Sequence, residues 1–443
     1  MSSTVVRHFL TSRASYLAML VVLAALFPRI LTTFGAPGVV KFFHFTLAVV
    51  FLVFLFPYIW TNQTKRLLIG LAALLWTISV SGLINSAGMA NVLLDFVLLA
   101  EPFLLLVLIV NQSMSASHLK HFWIVILLAM FAHTTLAYYQ YYSVGHHDPD
   151  LVKGLFIEQG AGHHVAGAVA LTAAVYFFSS IALIPHLLRP FISGSVAAVV
   201  ILSDSKQVIA VFLLSLWALL ILKIKNMRRF VQYLCLSFAC AGIVALAAYT
   251  IVPSLSFWAD LSRIQQGLEA KFSIVSIVTS HYRSSLNLIF GLGPGHTVGR
   301  LASLLPEYRE HLDMFGATMF PVTEAAGVQR ESNYLSNSKT GSSMWSPFFF
   351  WAGLWGDLGI AGCAAYLLLW YIVFREVCSN ELSHYFVFTI LIFGLVFSWL
   401  EEPGYMLFVT ALIGLGWQQR QHEAEGYELE ASTLESSASK QHA

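Results

Sequence analysis

Apolar residues recur along this chain in blocks of membrane-crossing length. A helix needs roughly 20 apolar residues to cross about 30 Å of hydrocarbon. Windows of that size fall near 15–33, 40–60, 67–85, 90–111, 119–142, 163–184, 190–204, 206–223, 230–252, 347–374, 384–400 and 403–419. The pattern lacks strand alternation, and lipid-facing backbone must be bonded internally, so these blocks predict helices. The expected fold is an all-α polytopic membrane protein of about twelve transmembrane helices. Residues 1–252 hold nine of them and 347–419 the last three. One long polar interruption, 253–346, separates the two groups. Within it, Leu286 to Phe290 predicts a short helix against the membrane or the bundle. Arg300 to Phe315 predicts an amphipathic helix broken at Pro306, and Gly316 to Ser346 a mobile covering segment or simple disorder. The Glu- and Ser-rich tail, 420–443, is expected to lack structure.

Basic residues orient this arrangement. With twelve spans, one side collects Arg7, Arg13, Lys65, Arg66, Lys120, Arg189, Lys223, Lys225, Arg228, Arg229, Arg375, Arg420 and Lys440. The short loops of the other side hold only Arg29, Lys41, Lys153 and Lys206. Both termini are therefore expected in the cytoplasm and the long loop outside it, in a bacterium the periplasm. The first apolar block, after Arg7 and Arg13, predicts a retained signal-anchor helix. Composition agrees: 58% of residues are hydrophobic and 11% charged, with a mean hydropathy of +0.73. A net charge of +1 and the absence of a basic arm argue against nucleic acid. Cys235, Cys240, Cys363 and Cys378 lie in or beside apolar blocks, without zinc spacing.

Candidate chemistry clusters on the expected outer face. Lys206 opens a span straight after a Ser-Asp-Ser turn, where it either snorkels or meets an anionic headgroup. Arg283 offers a planar fork suited to phosphate oxygens, or an ordinary salt bridge. Gly291, Gly293 and Gly295, with Pro294, dictate a sharp turn where backbone or ligand approaches closely. The turn lacks the context of a nucleotide fingerprint. His296 at its end is a candidate general base or a helix cap, and Arg300 follows one helical turn later. Asp357, Asp95 and Glu101 inside spans, and Glu401 and Glu402 at a span end, are acid/base or structural candidates.

These residues resemble the bacterial O-antigen ligase and polysaccharide polymerase superfamily. The resemblance covers about residues 160–365 and rests on Ser205-Lys206, Arg283, the Gly291–Gly295 turn and Asp357-Leu358-Gly359. It implies a membrane glycosyltransferase fold of the C type, with the large loop between spans nine and ten. It implies no metal or other cofactor. The implied donor is an undecaprenyl-pyrophosphate-linked glycan and the acceptor a glycan or lipid. Membrane lipids, and a chain-length regulator and flippase of the same pathway, are the implied partners. Lys206 and Arg283, with Arg300, would bind pyrophosphate. Two departures are visible: Lys206 stands where the family usually has arginine, and Trp345 to Phe348 lacks the ligases' histidine. The second favours a polymerase of exopolysaccharide or O-antigen repeat units over the alternative, a ligase acting on lipid A core. A transporter or flippase is weaker, because no internal repeat is visible. A structural scaffold is the remaining reading.

Overall fold

The computed structural model describes residues 3–46, 61–111, 114–157, 161–180, 183–223, 261–336 and 345–441, with a few positions between 228 and 235. The expected segments 40–60, from residue 47 on, and 230–252, except a few positions, lie outside them. Every regular element among the described residues is helical. Helices α1 (Ser3–Leu26), α2 (Asn62–Ile84), α3 (Met89–Val110), α4 (Ala116–Gln140), α5 (Gly162–Ser179), α6 (Arg189–Leu202) and α7 (Lys206–Lys223) precede the long loop. The loop folds into α8 (Leu261–Ser280), α9 (Leu286–Phe290), α10 (Arg300–Glu307) and α11 (Pro321–Ser336). The bundle closes with α12 (Phe350–Ile372), α13 (Glu381–Val396) and α14 (Pro403–Gln441). Among the described residues, five helices are long and apolar enough to cross a membrane: α2, α3, α4 with its π-turn extension, α7, and α12 with its own. Shorter apolar helices are Ser15–Leu26, Arg189–Leu202 and Glu381–Val396.

Two helices form the centre. Residues 98–111 of α3 and 401–416 around the start of α14 are buried without a break. A helix apolar on every face belongs inside a bundle, and these two pack on each other. Small residues set the spacing: a methyl on Gly414 would come within 2.9 Å of the Ile109 side chain. Gln418 ties the far end, donating to the Ile109 carbonyl (2.6 Å) and accepting from the Met114 amide (3.1 Å). Ion pairs Arg66–Glu376 and Lys223–Glu381 also lie at that end. The outer faces stay apolar. Ile69, Trp76 and Leu83, seven residues apart, form a stripe of exposed side chains on α2.

Two expectations change. The stretch Gly316–Ser346, expected mobile or disordered, contains α11, whose fully buried Val322 and Ala326 share a cluster with Ile274 and Val278 of α8. The four-residue spacing of Val322 and Ala326, with Pro321 at the first helical position, is a helix signal hidden in polar composition. The tail likewise continues α14 as far as Gln441; its Glu, Gln, Ala and Leu content favours helix once a helix precedes it.

Helix α12 breaks at Gly359, with φ +66° and ψ −161°. Gly291 has nearly the same angles, φ +71° and ψ −162°. This region is open essentially to glycine alone. The two glycines face each other: a methyl on Gly359 would strike the Ile289 carbonyl, and one on Gly291 would strike the Asp357 carbonyl. Gly353 and Gly356, at three-residue intervals before Gly359, likewise admit Gly299 and Thr297, where a methyl would come within 2.8 and 2.6 Å. The glycines of α12 thus form one groove that receives the 291–299 strip of the loop.

Gly359→Ala should cost of order 1–3 kcal/mol for backbone strain alone, plus the clash with Ile289. Gly327→Ala in α11, where a methyl meets open space, should be neutral or mildly stabilising. Thermal unfolding of the two variants in detergent checks this; equal melting temperatures would refute the close-packing account.

Candidate functional site

The turn from Gly291 to Gly299 is completely buried. An irregular backbone cannot sit among apolar helices with its N–H groups unanswered. Asp357 answers three of them. Its Oδ1 accepts from the amides of His296 (3.1 Å) and Thr297 (2.7 Å) and from the Thr297 hydroxyl (2.6 Å). Its Oδ2 accepts from the Gly295 amide (3.1 Å). Backbone bonds Leu292 N to Gly356 O (2.8 Å) and Gly293 N to Asp357 O (3.0 Å) continue the seam. The neighbouring helices complete it. Ser81 donates to the Asp357 carbonyl (2.8 Å), Asn85 to Gly291 O (3.1 Å) and Asn91 to Pro294 O (2.9 Å). Asp357 is therefore the structural keystone of the turn rather than an accessible acid or base.

His296 is locked into the same assembly. Its Nδ1 donates to the Leu292 carbonyl (2.8 Å), so neutral Nε2 accepts from the Thr318 hydroxyl (2.8 Å). Burial pushes its pKa below the ordinary histidine value. With both nitrogens engaged, the ring acts as a spacer, stacked on Phe320 at 5.4 Å. The general-base assignment has no geometric support. Arg283 also lies over Phe320, its guanidinium 5.6 Å from the ring centroid and exposed.

Arg300 goes elsewhere. As the first residue of α10 it follows the buried turn directly, and its amide donates to Glu401 while its guanidinium pairs with Glu402. Arg29, just past α1, lies 3.7 Å from the same Glu402 oxygen. Together with Lys41 they line a cavity of about 370 Å³ at the loop end of the bundle. Phe42, Tyr308, Ser303 and Ser398 supply aromatic and hydroxyl surface. His44 also lines it, held from behind by both oxygens of Glu101 (2.8 and 2.9 Å). That pair explains a glutamate in the apolar middle of α3. Burial pushes the Glu402 carboxyl up, but the Arg300 and Arg29 guanidiniums outweigh it and hold the pKa below the ordinary value. Glu401, lacking a guanidinium of its own, is raised by burial to about 8.

Lys206 occupies a neighbouring cluster. Its ammonium lies 3.1 Å from Asp204, which takes a positive φ in the tight turn between α6 and α7. Ser205 donates to the carbonyl of His163 (2.9 Å), and His163 faces Asp150 at 3.4 Å. Ala161, two residues before His163, lines the Arg29–Arg300 cavity, so the first turn of α5 separates the two groups. The structure thus joins Arg300 and Glu402, sets Lys206 beside them, and leaves Arg283 outside the cavity wall. Sequence reasoning missed Arg29 and Lys41. Their signal was present: with Lys153 and Lys206 they are the cations that the positive-inside sorting placed on the outer side.

No family model matches this chain, and no curated protein matches it.

Two outcomes test the geometry. Asp357→Asn places an amide N–H against a backbone donor and should destabilise by about 1–3 kcal/mol, visible as a lower melting temperature. Glu402 carries the pH dependence. Its lowered pKa means stability present above 4.5, the ordinary glutamate value, and lost as pH falls through the folded value. Glu402→Gln should therefore lower stability at pH 7 and flatten the acid limb of a melting-temperature profile. An unchanged acid limb would remove Glu402 from this role.

Proposed function

We propose that this protein is a glycosyltransferase of the bacterial inner membrane that polymerises undecaprenyl-pyrophosphate-linked oligosaccharide repeat units into exopolysaccharide or O-antigen. In this reading the chain has about twelve spans in a GT-C-like arrangement. Both termini are cytoplasmic, and the long loop is periplasmic. The observation that carries the reading is the convergence of Arg29, Lys41 and Arg300 on one cavity, under the loop, at the bundle end where the outer-side cations collect. Its volume is within the range of small-ligand sites.

The chemistry suits the charges. The acceptor hydroxyl oxygen attacks the anomeric carbon, the bond from that carbon to the pyrophosphate oxygen breaks, and the electron pair leaves with the pyrophosphate. Fixed cations stabilise that growing charge more than the ground state. Glu402 takes the hydroxyl proton. Its basicity is coupled to the donor: pyrophosphate competes for Arg300 and Arg29, and once these turn to the phosphates, less opposes the burial that raises the Glu402 pKa. The carboxylate strengthens as a base when the donor is seated. Tyr308 and Phe42 offer faces on which sugar rings pack.

Deletion of the gene should leave single carrier-linked repeat units and no long chains on a polysaccharide gel. Long carrier-linked chains never passed to the surface acceptor would mean a ligase instead. On complementation, Arg300→Ala should lower long-chain product by about 10²–10³, whereas Arg283→Ala, outside the cavity, should lower it far less. Equal loss in both would return the anion site to Arg283.

A further inference from the structure

One short helix of the loop faces the wrong way for a segment in water. In α9, Leu286, Leu288 and Ile289 are 46, 47 and 45% exposed. The helix packs on α2 and α12, and its last residue, Phe290, meets Trp76 edge-on at 6.3 Å. Trp76 is the middle member of the exposed apolar stripe on α2. It stands eight residues before Ile84, about 12 Å from the loop end of that helix. On the other side, the Ile289 carbonyl abuts Gly359, nine residues into α12 and so about 13 Å from its start. Exposed Ile360 follows. Asn85, just past the last turn of α2, accepts from Asn287 (2.9 Å) and donates to the Gly291 carbonyl (3.1 Å), so α9 lies along the loop-end turns of α2 down to Trp76, and its open side continues the apolar surfaces of α2 and α12.

We infer that α9 is a re-entrant segment whose open face is covered by the acyl chains of the bilayer. The order of residues fits this placement. Polar Ser280 to Ser285, with exposed Arg283, forms the mouth at headgroup level. Apolar α9 descends along lipid, and the polar Gly291–Gly299 strip turns inward. At membrane depth, non-helical backbone is tolerated only where protein encloses it. The Asp357, Ser81, Asn85 and Asn91 hydrogen bonds are that enclosure. The occupant is lipid, because the exposed side chains are continuous with faces of two membrane-length helices and carry no polar group. The inference does not depend on the glycosyltransferase reading.

The test uses the full chain with its four cysteines replaced by alanine and single cysteines at Leu288 or Ile289. Ile69→Cys serves as the lipid standard and Met314→Cys as the water standard; both positions are highly exposed. Each is labelled with a fluorophore and reconstituted into phosphatidylcholine–phosphatidylglycerol vesicles. Brominated acyl chains should quench the 288 and 289 labels as they quench the 69 label, while aqueous iodide should quench them several-fold less than the 314 label. Strong iodide quenching at 288 and 289 alone overturns the inference. Protection from both quenchers does the same, indicating cover by a second copy of the chain. Iodide quenching at 69 as well would overturn it together with the membrane placement of α2.

Discussion

A single carboxylate lets a glycine-rich turn live inside an apolar bundle. Asp357 accepts from the amides of Gly295, His296 and Thr297 and from the Thr297 hydroxyl. Each of those groups, left without a partner away from water, would cost about 1–3 kcal/mol. The aspartate can reach them only because α12 breaks two residues later at Gly359. The break in turn needs Gly291 opposite it, since neither position tolerates a methyl. The polar network and the glycine contacts are therefore one device: the glycines permit the approach, and the carboxylate makes the approached backbone stable there.

The cavity depends on that device. Arg300 follows Gly299, and Gly299 is pressed against Gly353 and the Asp357 carboxylate. The guanidinium thus departs from a fixed point, toward Glu402 and Arg29. Two guanidiniums around one buried carboxylate make a site that already prefers an anion. The same electrostatics would serve any phosphorylated ligand; the lipid-linked donor remains our proposal, resting on the site's place at the end of an apolar bundle beneath a folded loop.

Part of this site was legible beforehand. The Gly291–Gly295 run demanded a turn because glycine and proline have no other good use in such density, and the structure supplies the turn. Glu402 was marked as costly at a span end and Arg300 as a cation following the turn, and the two meet. His296 misled, because a histidine beside a turn looks the same whether its nitrogens are free or bonded. Its partners, Leu292 O and Thr318 Oγ1, come from backbone geometry that residue spacing does not reveal. Arg283 was marked by its proximity in sequence to the turn, and the α8–α9 connection carries it to an exposed position over Phe320, away from the residues that line the cavity.

Hydrophobic periodicity by itself determined that the chain folds as long apolar helices interrupted by one polar loop, because transfer energies act residue by residue and are readable in order. The sorting of lysine and arginine marked one end as unusual for its few cations. Only the tertiary structure decided which of those cations face a common cavity, and that a buried aspartate rather than solvent satisfies the turn. Those choices depend on contacts between segments hundreds of residues apart, such as Arg29 with Glu402 and Ser81 with Asp357. Local pattern carries no information about such pairs, whereas packing at close approach selects them.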